Sequence, residues 1–303
     1  MNLQLEQLRA LVAVVDHQSF DAAATALHLT PSAVSQRIRT LENAAGRILV
    51  ERTKPVRPTG SGRILLRLGR QVELAAAEAA AELGDGPDAE RPVVPMVVNS
   101  DSLATWVLAA LSEPAGRVSF RLLREDQDHS LDRLTDGTAM AAITSSAEPA
   151  PGCAVIPLGR MRYRPVAAAS FIDRWFPDGP GPAALARAPM VTFDDRDDLQ
   201  DRYLRQQVGD SLHPPRHQVP ASADFAAAIS RGWGWGLVPE IWPGVATEPT
   251  RNSRAPLIPL HPDHFLDVEL YWQQWRLHSP VLEQVATALV TAAARVLRPL
   301  EVR

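Results

Sequence analysis

The sequence predicts a mostly α-helical winged helix-turn-helix, then a long linker helix, then a two-lobed α/β domain. Three observations carry this reading. Residues Phe20 to Gly46 hold apolar positions at helical spacing on both sides of a short turn, His28-Leu29-Thr30. Leu65, Leu68, Val72, Ala75 and Ala79 then repeat at spacings of three and four. Beyond Pro92, short apolar runs alternate with helical segments, the pattern of α/β units.

Each element has a local reason. Leu5, Leu8, Val12 and Val15 form the apolar stripe of a first helix. Ser19 is placed to cap the second, with Asp21 in its first turn, where a carboxylate meets the positive end of the helix dipole. Thr30 caps the third, and Pro31 takes the first helical position, where a missing N–H costs nothing. Gly46 ends that helix. In such a unit one helix braces and the next enters the DNA major groove. Leu49-Val50-Glu51-Arg52 and Val56-Arg57-Pro58 flank Thr53-Lys54-Pro55 and read as a short β-wing. Thr59-Gly60-Ser61 opens the linker helix, which runs to about Leu83. A heptad-like stripe on an isolated connecting helix needs a cover, most simply a second copy of the chain.

Gly84 to Pro92 is rich in turn residues and reads as a linker. The apolar runs Met96–Val98, Val118–Leu123, Ala139–Thr144, Val166–Ala169, Met190–Phe193, Gly236–Pro239 and Val268–Trp272 are expected strands of a mainly parallel sheet. A last helix is expected at about Val281–Leu297. The domains are therefore set at 1–60 (winged helix-turn-helix), 61–84 (linker and dimerisation helix) and 91–303 (regulatory domain). Lobe I of the last takes about 91–164 and 268–303, and lobe II about 165–267. A cleft between two such lobes is where sheets of this kind bind ligands.

Composition narrows the function. The net charge of 303 residues is only −4, yet Ser35 to Arg57 holds six basic residues (Arg37, Arg39, Arg47, Arg52, Lys54, Arg57) against two acidic ones (Glu42, Glu51). A local positive excess beside a helix-turn-helix points to DNA phosphates. Cys153 is the one cysteine, which excludes a disulfide framework and a Cys-rich metal site. The chain starts without a basic, apolar leader and has no run of 18 apolar residues, so a cytoplasmic protein without a membrane span is expected. Gly-x-Ser-x-Gly, His-Glu-x-x-His and P-loop motifs are absent. His213 and His217 sit among prolines and make no metal site. Gly232-x-Gly234-x-Gly236 lies between a helix and a strand, the reverse of the dinucleotide-binding order. The expectation is a chain with no catalytic residues, no metal and no cofactor.

The segment Ala23-Ala24-x2-Leu27-x3-Pro31-Ser32-Ala33-Val34-Ser35-Gln36 resembles the winged helix-turn-helix of LysR-type transcriptional regulators. The linker helix and the two-lobed domain follow in that family's order, so the resemblance covers essentially the whole chain. It implies a periplasmic-binding-protein-like effector domain. The C-terminal part is similar to the ArgP/LysG branch, whose members respond to basic amino acids and control their export. The matching stretches are Asn99 to Trp106, Arg124-Glu125-Asp126, Phe193-Asp194 with Asp197-Asp198, and Tyr271-Trp272. The resemblance implies a regulator that activates a lysine or arginine exporter gene on binding L-lysine, L-arginine or L-histidine. Its implied partners are promoter DNA, RNA polymerase and further copies of itself, as a homodimer or homotetramer. Two other readings stand beside it: a LysR-type regulator with a different effector, and a cytosolic amino-acid-binding protein without gene-specific control.

Residue chemistry assigns candidate roles. Ser32, Ala33, Ser35, Gln36 and Arg39 lie near the start and outer face of the recognition helix. Ser35 and Gln36 are the pair expected to reach base edges or nearby phosphates, since Gln pairs with adenine at two points and Ser serves any base. Ala33 is small enough to meet a thymine methyl. Arg37 and Arg39 are expected on phosphates, with Arg52, Lys54 and Arg57 on the backbone or minor groove. For the effector, Asn99, Ser100, Asp101, Ser102, Thr105 and Trp106 cross from a strand end into a helix start. Free N–H groups and the Ser102 hydroxyl there suit a carboxylate, and Asp101 an α-ammonium. Glu125 and Asp126, after a strand, suit a cationic tail. Thr144 and Ser145 would add hydroxyls, and Asp194 is expected to face the cleft from the other lobe.

Overall fold

Capping residues fix where the first helices begin. The computed structural model describes residues 3–83, 91–124, 130–209, 212–246 and 256–300. After α1 (Leu5–His17), the Ser19 hydroxyl accepts the Ala22 N–H at 3.4 Å and starts α2 (Phe20–Ala26). Thr30 accepts the Ala33 N–H at 3.2 Å and starts α3 (Pro31–Ala45), which ends at Gly46 with φ of 64°. β1 (Val50–Glu51) and β2 (Arg57–Pro58) pair antiparallel as the wing. Thr59 accepts the Gly62 N–H at 3.0 Å and starts α4 (Gly60–Glu82). Leu8, Leu11, Val12 and Val15 of α1 close one core with Ala23, Ala24, Val34, Ile38, Leu41, Leu65 and Leu66.

Next come β3 (Val93–Val98), α5 (Ser100–Ser102), a π turn over Leu103–Val107 and α6 (Leu108–Ala110). They are followed by β4 (Ser119–Arg124), α7 (Ser130–Thr135), β5 (Ala141–Thr144) and β6 (Cys153–Ala167). Then come α8 (Ala169–Trp175), α9 (Pro182–Leu185), β7 (Met190–Thr192), α10 (Leu199–Val208), β8 (Arg216–Gln218) and α11 (Ser222–Ser230). The chain closes with β9 (Gly236–Pro239), β10 (Ile258–Pro259), β11 (Leu266–Trp275) and α12 (Pro280–Val296).

Contacts divide the chain into two compact units. The first comprises Met1–Val98, Leu111–Ile156 and Trp272–Ala288. In it β3 pairs parallel with β4 and with β5, over a core that includes Val94, Val97, Leu134, Met140, Trp275 and Leu282. The second comprises Asn99–Ala110, Pro157–Tyr271 and Leu289–Arg303. There β6 pairs antiparallel with β9 and β10, while β7 pairs parallel with β8. Val166, Val191, Phe225, Ile229 and Val238 pack beneath them.

Two expectations change. The pairing is mixed, not mainly parallel, because β6 is a 15-residue strand that meets its neighbours head to tail. Only its last residues read as apolar, and Ala169 belongs to α8. The linker helix is also not isolated. Leu65 and Leu66 join the helical core, and Leu74 joins the core under β3. Of the heptad-like stripe, Leu65 is therefore covered by its own unit, whereas Ala75 and Ala79 are exposed.

Gly62 joins α4 to the wing. A Cβ there would lie 1.9 Å from the Leu49 carbonyl oxygen, a backbone atom that has no rotamer to escape through. Gly62→Ala should lower the melting temperature, at a cost of about 1–3 kcal/mol or more. A thermal melt followed by circular dichroism that matched the parent chain would show that the wing separates freely from α4.

Candidate DNA interface and effector site

The outer face of α3 is set by what its inner face buries. Val34, Ile38 and Leu41 are fully buried, which turns Ser32, Gln36 and Arg39 outward and leaves Ala33 and Ser35 half-exposed. The Ser32 and Thr30 hydroxyls share a 2.9 Å hydrogen bond at the helix start. Arg37 has a partner within the chain. It donates to Glu6 of α1 at 2.8 Å, so it is held by an exposed ion pair, a weak tie that a phosphate can compete for. Arg52 lies over the Phe20 ring at 5.3 Å and 3.9 Å from Glu42. Lys54 and Arg57 are exposed on the wing. Glu42 also accepts the Leu49 N–H at 3.0 Å, which spends one of the two acids of this basic stretch on internal bracing.

The second unit gathers buried polar atoms around the Asn99–Trp106 segment. Asn99, Ser102 and Trp106 are 4%, 0% and 3% exposed, and Asn99 Oδ1, Ser102 Oγ and Trp106 Nε1 have no hydrogen-bond partner among the described residues. Thr192 at the end of β7 is likewise buried with an unpartnered hydroxyl. Buried polar atoms are nearly always paired, so a group of orphans needs a reason. Asp101 is held on both oxygens: Tyr163 donates to Oδ2 at 2.9 Å and Ser222 to Oδ1 at 2.8 Å. It does not cap its helix. Burial pushes its carboxyl above the ordinary value, and the two hydroxyls oppose that shift. Burial and the neighbouring carboxylate push the Tyr163 hydroxyl well above its usual range.

The remaining expected contacts fall in different places. Ser100 is half-buried, and the Thr105 hydroxyl is engaged by the Asp101 carbonyl at 2.6 Å. Asp194 accepts the Arg196 and Asp197 N–H groups at 2.8 and 3.1 Å, so one of its oxygens shapes the loop after β7. Thr144 belongs to the first unit, where it is buried and its hydroxyl serves the turn at Ser146. Glu125 and Asp126 lie outside the described residues.

Two residues of this group escape a reading of the sequence, and a third, Asp197, is marked only by the Asp197-Asp198 stretch of the resemblance. Tyr163 stands between Arg162 and Arg164 on β6, and only the alternation of that strand marks it as inward-facing. Ser222 looks like an ordinary helix start. Asp197 accepts the Phe193 and Leu199 N–H groups at 2.8 and 3.1 Å. Its carboxyl is nevertheless pushed up to about 6, chiefly by burial, with Asp101 and Asp194 adding to the shift.

Comparison with known proteins agrees over the whole length. Residues 5–63 match the family model described as bacterial regulatory helix-turn-helix protein, lysR family, and residues 96–294 match the LysR substrate binding domain. The HTH-type transcriptional regulator LysG of Mycobacterium tuberculosis is 44% identical over 293 residues, covering 96% of this chain and 94% of its own. The lysine export transcriptional regulatory protein LysG of Corynebacterium glutamicum is 38% identical over 296 residues, covering 97% and 99%. The solved structure of full-length LysG from Corynebacterium glutamicum with bound effector Arg superposes with a TM-score of 0.70. It is 36% identical and covers 98% of this chain and 100% of its own.

Two measurements test the Asp101 group. Tyr163→Phe removes a hydrogen bond to a carboxylate and should cost about 1.5–3 kcal/mol of stability; an unchanged urea midpoint would show that the hydroxyl contributes nothing. A carboxyl raised in the folded chain stabilises it fully below the ordinary value of 3.8, and that contribution is lost as pH rises through about 6. Glu73, in the first unit, is pushed up to about 7 and acts with the same sign, so the readout is a difference. Between pH 4 and about 6.5, Asp197→Asn should lose less stability than the parent chain; parallel curves would mean that Asp197 titrates normally.

Proposed function

Because the chain belongs to the LysR family of bacterial regulatory proteins, we propose that it binds promoter DNA as a dimer or a pair of dimers and answers to a basic amino acid. In this reading it activates a lysine or arginine exporter gene. The observation that carries the effector assignment is the Asp101 carboxylate, fixed by Tyr163 and Ser222 beside orphaned polar atoms. Acceptors and donors there complement an amino acid. Asp101 and Asn99 Oδ1 offer acceptors to an α-ammonium, while the Ser102 hydroxyl and the Trp106 indole N–H offer donors to a carboxylate. Asp197 and Asp194 add negative charge for a cationic tail, the role expected also of Glu125 and Asp126. Buried carboxylates favour a cation as partner over solitude. The arginine held by the Corynebacterium glutamicum protein has this chemistry.

At the DNA end, Ser35 and Gln36 read bases, with Ser32 and Ala33 beside them, and Arg39, Arg52, Lys54 and Arg57 hold phosphates. Arg37 joins them if DNA draws it from Glu6. Ligand shifts the promoter-bound state only through its differential affinity for two conformations of the dimer, and RNA polymerase responds to that shift. None of this requires catalysis, a metal or a cofactor. No described helix is long and apolar enough to cross a membrane.

A melting screen against the twenty amino acids tests the effector. L-lysine, L-arginine or L-histidine should raise the melting temperature, less at pH 5 than at pH 7.5, because a protonated Asp197 no longer attracts a cation. No shift with any of the three at millimolar concentration overturns the effector reading. Gel shifts on the DNA upstream of the chain's own gene test the other end. Ser35→Ala with Gln36→Ala should reduce discrimination between that DNA and random DNA, by about 1–3 kcal/mol per lost base contact. Arg52→Ala should weaken both DNAs alike. Equal loss on both from the Ser35 and Gln36 changes would remove them from base readout.

A further inference from the structure

We propose that a buried ion cluster latches the DNA-reading helices to the regulatory sheet of the same chain, so that the two unfold and respond as one body. Asp16 near the end of α1, Arg70 on α4 and Arg121 on β4 converge, all within the first unit. The Asp16 and Arg70 side chains are 8% and 4% exposed, Arg121 reaches the surface at 36%, and the half-buried Glu73 of α4 lies within electrostatic reach of all three. Arg70 binds both Asp16 oxygens through its two terminal nitrogens, and Arg121 pairs with Asp16 as well. The third nitrogen of Arg70 donates to the Gly137 carbonyl at 2.7 Å, in the turn before β5. Arg70 thus holds α1 with one edge and the regulatory part with the other.

The rest of α4 is docked in the same way. Arg67 donates to the Pro151 and Gly152 carbonyls at 3.3 and 3.1 Å and lies over the Trp275 ring at 4.9 Å. Glu78 accepts the Val281 N–H at 3.2 Å at the start of α12. Gly137 has φ of +80°, and a Cβ there would come within 3.2 Å of the Arg67 backbone nitrogen, so turn and helix touch backbone to backbone. A mere tether would leave these groups in water. Removing one member of a buried cluster strands the charge of the others, so the latch opens as a whole or stays closed.

Five of the seven tryptophans lie in the second unit, and only Trp272 and Trp275 lie in the first, so the latch is read by amide hydrogen exchange residue by residue. In the full chain without ligand or DNA the amides of α1 and those of β3 and β5 should open with the same free energy, as one cooperative unit requires. Asp16→Asn and Arg121→Gln should separate them, with α1 opening first, while Arg117→Gln, an exposed arginine outside the cluster, should keep them together. Hydrogen exchange at the Leu11–Val15 amides should become roughly tenfold faster in Arg121→Gln, a readout that survives if Asp16→Asn fails to fold. Unequal opening of α1 and of β3 and β5 in the unmodified chain, or unchanged exchange in Arg121→Gln, overturns the latch. The test uses no amino acid, so its outcome is separate from that of the effector assignment.

Discussion

One helix, α4, belongs to two hydrophobic cores at once, and the first unit is built around that constraint. Its N-terminal half gives Leu65 and Leu66 to the core of α1 to α3, and about two turns later Leu74 enters the core beneath β3. Glycines allow the approach: a Cβ on Gly69 would meet a Val12 methyl at 2.9 Å, and one on Gly62 would collide with the Leu49 carbonyl. With both ends of its inner face committed, little of the helix is left for a partner. The face a second copy would cover is therefore the outward one, with Ala75 and Ala79 exposed and Ile64 71% exposed.

Two buried aspartates, Asp16 in the first unit and Asp101 in the second, are held in opposite ways. Asp16 is matched by two guanidinium groups and has no unmet need for positive charge. Asp101 is held only by neutral hydroxyls, which fix its position and satisfy one acceptor site on each oxygen but supply no countercharge. Burial raises its carboxyl, the two hydroxyls offset part of that shift, and Asp197, raised chiefly by its own burial, is raised further by Asp101. A fold under selection for stability alone would remove such a strain by neutral substitution or by an arginine. Orphaned atoms on Asn99, Ser102 and Trp106 around the same carboxylate make a zwitterionic ligand the economical explanation.

Local chemistry was legible in the sequence, and long-range chemistry was not. Ser19, Thr30 and Gly46 cap where their residue types predict, because a cap needs only neighbours three residues away. β6 was read only at its end because Pro157, Gly159 and Pro165 interrupt it and Arg160, Arg162 and Arg164 occupy alternate positions. Those arginines find acids far along the chain, as Arg162 does on Asp267 at 2.8 Å. The partners of Asp101 lie 62 and 121 residues downstream, so no spacing rule could supply them. The place of Arg37 on α3 predicts a phosphate contact, and Glu6, which holds it here, lies on another helix. The basic stretch was found correctly as a charge excess; which charges are free depended on the packing of α1.

The strand β3 leads directly from the first unit into the segment that carries Asp101. β3 ends at Val98, and the next residue, Asn99, opens the polar group of the second unit. Pro95 of the same strand is in register with Arg121 of β4, whose guanidinium ends on Asp16. From Asn99 to Pro95 is four residues of strand, about 13 Å at 3.3 Å per residue. Contiguity by itself transmits nothing, because coupling needs an element with two discrete states that both ends bias.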